Sequence, residues 1–147
     1  MDNIQIDKIL FKNKHTKQIF RGTFALDTLP PKPFHKHPCA YVCNNKKRRT
    51  KGQHWLAFFI PKIGNPEFFD SYGRKPQKEF KHFLGPEYKH NVKSLQNCFS
   101  STCGQFCIYF IVNRSRGISY RTIVQKLQKI PFDQRDAYVV NFVDKLT

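Results

Sequence analysis

A chain of 147 residues with a hydrophobic fraction of 39% can bury its own core as a single domain over residues 1–147, and its 15 Phe and 6 Tyr argue against disorder. The formal net charge of +16, from 26 Lys and Arg against 10 Asp and Glu, points to a polyanionic partner, with non-specific DNA binding as the expectation. No stretch approaches the length of a membrane span and no basic-then-apolar leader opens the chain, so an intracellular protein with no membrane partner is expected. Five cysteines without a leader read as free thiols rather than as a disulfide framework.

In chain order, residues 3–13 suit a short amphipathic helix with Asn3 as cap and Ile6, Ile9 and Leu10 on one face. Phe20-Arg21-Gly22-Thr23-Phe24 reads as entering a loop region. The prolines of Leu29-Pro30-Pro31-Lys32-Pro33 exclude helix. Cys39 to Cys43 predicts a strand, and Asn44 to Gly52 a basic loop. Gln53 to Ile60 predicts a central strand covered on both faces, with His54, Leu56, Phe58 and Ile60 on one side and Trp55, Ala57 and Phe59 on the other. A turn at 62–66 then returns the chain as a strand from Glu67 to Ser71, a hairpin that can bring His54 and Asp70 together.

Pro76 is expected in the first turn of a helix carrying Phe80, Phe83 and Leu84, which Gly85 stops. Asn91 to Cys98 reads as a further strand. It delivers the chain to Ser100-Ser101-Thr102, good cap types, and to a helix from Cys103 to about Val112 that is apolar on nearly all sides and therefore buried. Tyr120, Ile123, Val124 and Leu127 mark an amphipathic helix ended by Pro131. Asp133 is the expected cap of a last helix with Ala137, Val140, Val143 and Leu146 inside. The class is α+β, a central mixed β-sheet packed by helices.

The position of Cys103 carries chemistry. In the first turn of a helix, the macrodipole and free backbone N–H groups favour a thiolate. A cysteine protease needs such a thiolate, a base, a group that orients the base and donors for the oxyanion. Cys103, His54, Asp70 and Gln96 supply those four types. None is diagnostic alone, since a helix-start cysteine is more often structural, His54 could be a core histidine, Asp70 a turn cap and Gln96 a plain strand residue. Their combination in one chain is the signal. Cys107, one turn on, suits core packing. His35, His37, Cys39 and Cys43 are zinc-binding types whose spacing matches no standard site, so no metal is expected.

These residues carry a resemblance. Gly52-Gln53-His54-Trp55-Leu56-Ala57-Phe58, Phe68-Phe69-Asp70-Ser71-Tyr72-Gly73, and Gln96 with Ser101-Thr102-Cys103-Gly104-Gln105-Phe106-Cys107 resemble the adenovirus endopeptidase (adenain) family. The match looks closest to the proteases of Maverick/Polinton elements and adintovirus-like viruses, and is more distant to the proteases of ubiquitin-like modifiers. It spans roughly residues 20–112. The resemblance implies a papain-like or adenain-like fold, with Cys103 as nucleophile, His54 as base and acid, Asp70 as orienting carboxylate and Gln96 as oxyanion donor. Trp55 and Gly104 would bind substrate, in keeping with cleavage at Gly-containing sites.

The resemblance further implies viral precursor proteins as substrates during virion maturation, a host-nuclear and virion location, and DNA as activator, with no cofactor needed for the chemistry. Lys46, Lys47, Arg48 and Arg49 are the expected DNA contacts, and a monomer is the expected state. The chain is shorter than adenain after the nucleophile and lacks a cysteine near Gly85, where adenain links to its activating peptide. A disulfide-linked activator is therefore not expected, although an activating peptide is still a candidate partner. The competing readings are a non-enzymatic basic DNA-binding virion core protein and a protease for ubiquitin-like modifiers.

Overall fold

A computed structural model describes residues 1–47 and 54–147. Its centre is a five-stranded mixed sheet of β1 (Phe20–Phe24), β2 (Cys39–Asn44), β3 (Trp55–Ile60), β4 (Glu67–Phe69) and β5 (Lys89–His90), in that spatial order. The two outer pairings, β1 with β2 and β4 with β5, are parallel; the inner two are antiparallel. Five α-helices are described: α1 (Asn3–Lys12), α2 (Lys78–Leu84), α3 (Cys103–Ser115), α4 (Tyr120–Lys129) and α5 (Arg135–Asp144).

The alternation along β3 divides the interior in two. Ala57 and Phe59 face one cluster with Ala40, Val42, Phe69, the α1 residues Ile6 and Leu10, and the buried length of α3. Leu56, Phe58 and Ile60 face a second cluster with Tyr41, Phe68 and the α2 residues Phe80, Phe83 and Leu84. Apolar side chains thus cover both sides of β3, as its two-sided pattern requires. In the second cluster the Phe58 ring meets Phe68, Phe80 and Phe83 edge-on at 5.2–5.4 Å. Each such buried ring contributes about 1.5–3 kcal/mol over an exposed one.

An ion pair, buried at its carboxylate and partly buried at its guanidinium, ties the sheet to the far end of α3. Arg114 Nε and Nη2 donate to Glu67 Oε1 and Oε2 at 2.7 and 3.0 Å, with the guanidinium 4.4 Å from the centre of the Phe59 ring. The fork geometry suits a carboxylate that is only 2% exposed.

Several boundaries differ from expectation. The α1 cap is Asp2, not Asn3, because Asp2 and Gln5 form a reciprocal capping box. Phe20–Phe24 is an edge strand rather than loop, its register broken between Phe20 and Thr23. Gln77 occupies the N-cap position of α2 without a side-chain cap bond, which leaves Pro76 outside the helix; Gly85 stops it at φ 85°. Asp133 lies in a short 3₁₀ turn, and α5 follows Gln134 with Val139 and Val143 inside while Ala137 is exposed.

The largest difference is at 91–98, which is irregular beyond the two-residue β5. There Leu95 and Gln96 N–H groups both donate to the Ser71 carbonyl, at 2.7 and 3.0 Å, instead of to a strand partner. Gly73, at φ 70°, makes this possible: a Cβ there would sit 2.5 Å from the Lys93 backbone.

Candidate active site

The hairpin of β3 and β4 builds half of the site. Its register pairs Ala57 with Phe69 and Phe58 with Phe68. Carried one step further it sets Asp70 opposite Leu56, diagonal to His54 on the same face. His54 Nε2 and Asp70 Oδ1 are 2.6 Å apart, and both residues are buried. Asp70 Oδ1 also accepts the Tyr72 backbone N–H at 2.8 Å.

The backbone of Asp70 is clamped by Asn91, which accepts its N–H at 3.1 Å and donates to its carbonyl at 2.6 Å. Tyr120 from α4 donates to the Phe68 carbonyl at 2.9 Å and reaches the same Asn91 oxygen at 3.2 Å. The Tyr72 ring lies on the imidazole, with centroids 4.5 Å apart and planes 25° from parallel.

The other half is the start of α3. Thr102 is its N-cap residue, and Cys103 is 7% exposed. The Trp55 backbone N–H points to Cys103 Sγ at 3.5 Å, which joins the nucleophile candidate to the beginning of β3. Burial opposes the thiolate, but the His54 imidazole and the N–H groups of Trp55 and Gly104 outweigh it and hold the thiol below its ordinary value. Burial likewise opposes the imidazolium, yet the Asp70 hydrogen bond and the Cys103 sulfur raise His54 to about 9.

With Nε2 on Asp70, the free ring atom is Nδ1. It is buried and is the ring nitrogen left for the Cys103 thiol, whose hydrogen bond and charge both favour the protonated ring. Both shifts act in the direction of a thiolate–imidazolium pair. Cys107 is inert by contrast, fully buried and pushed well above the ordinary thiol range.

Gln96 is fully buried in the segment leading to Cys103. Its Oε1 accepts the Ser71 hydroxyl at 2.5 Å, and its Nε2 donates to the Ser100 hydroxyl and carbonyl at 3.0 and 3.2 Å. The NH₂ end is therefore turned into the loop before the helix and is engaged by Ser100.

Trp55 and Gly104 contact the chain's own first residue. Trp55 Nε1 donates to the Met1 carbonyl at 3.0 Å, and a Cβ on Gly104 would meet the Met1 side chain at 3.2 Å. Lys46 and Lys47 line a cavity of about 460 Å³ shared with Met1, Phe24, Asn44 and Trp55. Arg48 and Arg49 lie outside the described residues. A larger cavity of about 1030 Å³, between Leu26–Pro31 and α2, includes none of the four candidate catalytic residues. Among the described residues no cluster of three or more His, Cys, Asp or Glu is placed to hold a metal ion.

Sequence reasoning did not find the supports: Tyr72, Asn91, Tyr120, Ser71 and Ser100. Only Tyr72 had a signal, since the hairpin register that relates His54 to Asp70 also sets residue 72 opposite His54.

No protein-family model matches the chain, and no curated protein does. Solved structures do match. The ASFV pS273R protease aligns at a TM-score of 0.54 and 16% identity, over 92% of this chain and 65% of that one. Its selenomethionine form aligns at 0.44 and 20% identity, over 69% and 44%. The central domain of the uncharacterised Lpg1148 protein from Legionella pneumophila aligns at 0.51 and 12% identity, over 100% and 98%. The chain thus spans 65% or less of the length of the ASFV protease chains it matches. At these identities the likeness concerns the fold, which is the α+β fold of the pS273R protease type.

Proposed function

We propose that this chain is a cysteine endopeptidase in which Cys103 attacks, His54 carries the proton, Asp70 orients His54 and Gln96 donates to the oxyanion. The observation that carries this reading is the 2.6 Å His54–Asp70 contact beside a helix-start thiol whose pKa is lowered by that same imidazole. The Cys103 thiolate adds to the scissile carbonyl carbon, and the carbonyl electron pair moves onto oxygen. The Cys103 backbone N–H is the donor at hand for that oxyanion, and Gln96 Nε2 joins it by releasing one of its two Ser100 contacts. Collapse expels the amine, which takes the imidazolium proton and leaves a thioester on Cys103. Water, losing its proton to His54, adds to the thioester; collapse releases the acid, and the imidazolium–thiolate pair is restored.

The finer reading follows the adenain resemblance: cleavage of precursor capsid or core proteins of a virus or virus-like element at Gly-containing sites during virion maturation. Trp55 and Gly104 would contact substrate, for which the Met1 segment that now covers them must shift. DNA would act as activator through Lys46, Lys47, Arg48 and Arg49. The net charge of +16 supports a nucleic-acid partner. An activating peptide, a monomeric state, and a location in the host nucleus and the virion belong to the same proposal.

The test is cleavage of a Gly-containing fluorogenic peptide library by wild type and Cys103→Ala, each with and without duplex DNA. Activity abolished in Cys103→Ala supports the protease, and a DNA-dependent rate supports activation. No cleavage, with Cys103 unreactive toward alkylating reagents, would favour a non-enzymatic DNA-binding protein, for which the charge alone speaks. Cleavage confined to a folded modifier's tail would favour the modifier-specific protease.

A further inference from the structure

The segment 97–102 has no helix or strand of its own, so its shape depends on side chains. One carboxylate gathers it. Asp136, in the first turn of α5, accepts the Ser100 hydroxyl at Oδ1 at 2.6 Å and the Thr102 hydroxyl at the same oxygen through a short bond. Its Oδ2 faces the Asn97 backbone N–H at 3.4 Å. The helix that carries Asp136 is itself fixed to the helix that carries Cys103. Tyr109 of α3 packs edge-on against Tyr138 and Phe142 of α5, at 5.6 and 4.8 Å, and Val139 and Val143 are buried beside it. The carboxylate therefore has a set position relative to the nucleophile.

Ser100 relays this position. A hydroxyl has one hydrogen to donate, and the acceptors in reach are the Asp136 carboxylate, the Asn97 carbonyl at 2.9 Å and Thr102 Oγ1 at 3.1 Å. The charged acceptor is the strongest. With its hydrogen on Asp136, the Ser100 oxygen presents lone pairs to Gln96 Nε2 at 3.0 Å, while Ser71 fixes the other end of that carboxamide. Thr102 is likewise diverted: it is the N-cap residue of α3 but makes no side-chain cap bond, its hydroxyl being on Asp136.

We propose that Asp136 is a positioning residue, which orders the 97–102 loop and, through Ser100, sets the orientation of the Gln96 carboxamide. Without the carboxylate, the Ser100 hydrogen turns to Asn97 or Thr102, Thr102 is free to cap α3, and the Ser100 hydroxyl is no longer held in place for Gln96 Nε2, which keeps the Ser100 carbonyl at 3.2 Å. The claim about rate rests on the cysteine-protease reading; the claim about loop order does not.

The test compares Asp136→Ala, Asp136→Asn and Ser100→Ala with wild type by three readouts. These are kcat and KM for a cleaved peptide, the pH profile of Cys103 alkylation, and amide hydrogen exchange over residues 97–102. For Asp136→Ala the expected results are a kcat lower by about 10- to 100-fold with KM within about twofold, an unchanged alkylation profile, and faster exchange confined to the loop. Asp136→Asn, which keeps one carbonyl acceptor, recovers most of the rate. Ser100→Ala combined with Asp136→Ala costs little more than either alone.

Loop exchange unchanged in Asp136→Ala, or kcat within about twofold of wild type on a substrate that wild type cleaves, overturns the proposal. So does a loss that spreads to the alkylation profile and to exchange throughout α3 and α5, which marks a residue that only holds the fold. Should wild type cleave nothing, the protease reading fails separately, and loop exchange still decides whether Asp136 orders the segment.

Discussion

His54 and Asp70 each stand one residue outside a paired strand, so backbone ladders, β2–β3 for His54 and β3–β4 for Asp70, carry them to the site, where the Asn91 side chain clamps Asp70. The loop from Asn97 to Thr102 has no ladder and depends on Ser71, Ser100 and Asp136. Backbone pairing is insensitive to which side chains are present. A chain of hydroxyl and carboxylate contacts is not, because removing one member lets the next rotate to another acceptor. The two halves of the site should therefore fail differently: substitutions in the strand-borne half change proton chemistry, and those in the loop-borne half change rate without moving the pH dependence.

The largest effect is expected for His54→Ala, which abolishes peptide hydrolysis by about 10⁴-fold or more. It also removes the group that holds the Cys103 thiol down. Burial is then opposed only by the Trp55 and Gly104 N–H groups, and the pH at which iodoacetamide reactivity appears moves upward. Reactivity unchanged at pH 7 would break the ion-pair account.

Gln96→Ala comes next, with kcat lower by about 10²- to 10³-fold. Its alkylation profile should overlay wild type. A shifted profile would mean that the loop and strand halves share one proton network.

Asn91→Ala leaves every candidate catalytic side chain in place but frees the Asp70 backbone. It should destabilise the fold by about 1–3 kcal/mol, read as a lower urea midpoint. The imidazolium shift should also shrink. Because His54 is raised from 6.5 to about 9, its charge contributes stability that is fully present below about pH 6.5 and lost as the pH rises through about 9. The stability gap between wild type and Asn91→Ala should accordingly narrow above pH 9 in pH-dependent denaturation.

The smallest effect on activity is expected for Glu67→Gln, which leaves the Arg114 guanidinium without its counter-charge. Stability falls by about 3–5 kcal/mol. The activity of the folded fraction stays near that of wild type, since the pair lies at the opposite end of α3 from Cys103. A folded Glu67→Gln protein with strongly reduced kcat would show that strain travels along the helix.

Three of the four chemical types of the site could be read from the chain because each sits beside a strong local signal, whereas Gln96 has none. His54 opens an apolar run, Asp70 closes one, and Cys103 follows three cap-type residues into a helix that is apolar on all sides. The helix–strand layout was similarly plain wherever periodicity was strong, as at Phe80, Phe83 and Leu84. It failed where the stabilising partner is remote in sequence. Phe20–Phe24 contains Arg21 and Gly22 and alternates poorly, yet it pairs because β2 offers a parallel edge. Residues 91–98 look extended, but two of their N–H groups converge on the Ser71 carbonyl, 24 and 25 residues earlier, which no periodicity encodes. Asn91, Tyr120 and Asp136 are ordinary polar residues of their own segments and acquire meaning only through the atoms they meet.

The chain has a single tryptophan, Trp55, and its position makes it a built-in optical reporter. Its main-chain nitrogen addresses the Cys103 sulfur while its indole nitrogen holds the Met1 carbonyl. Intrinsic fluorescence therefore originates between the N-terminal segment and the thiol. A displaced Met1 should change the emission wavelength by exposing the indole edge. Displacement of the N-terminal segment can thus be followed in unlabelled protein, without introducing a second probe.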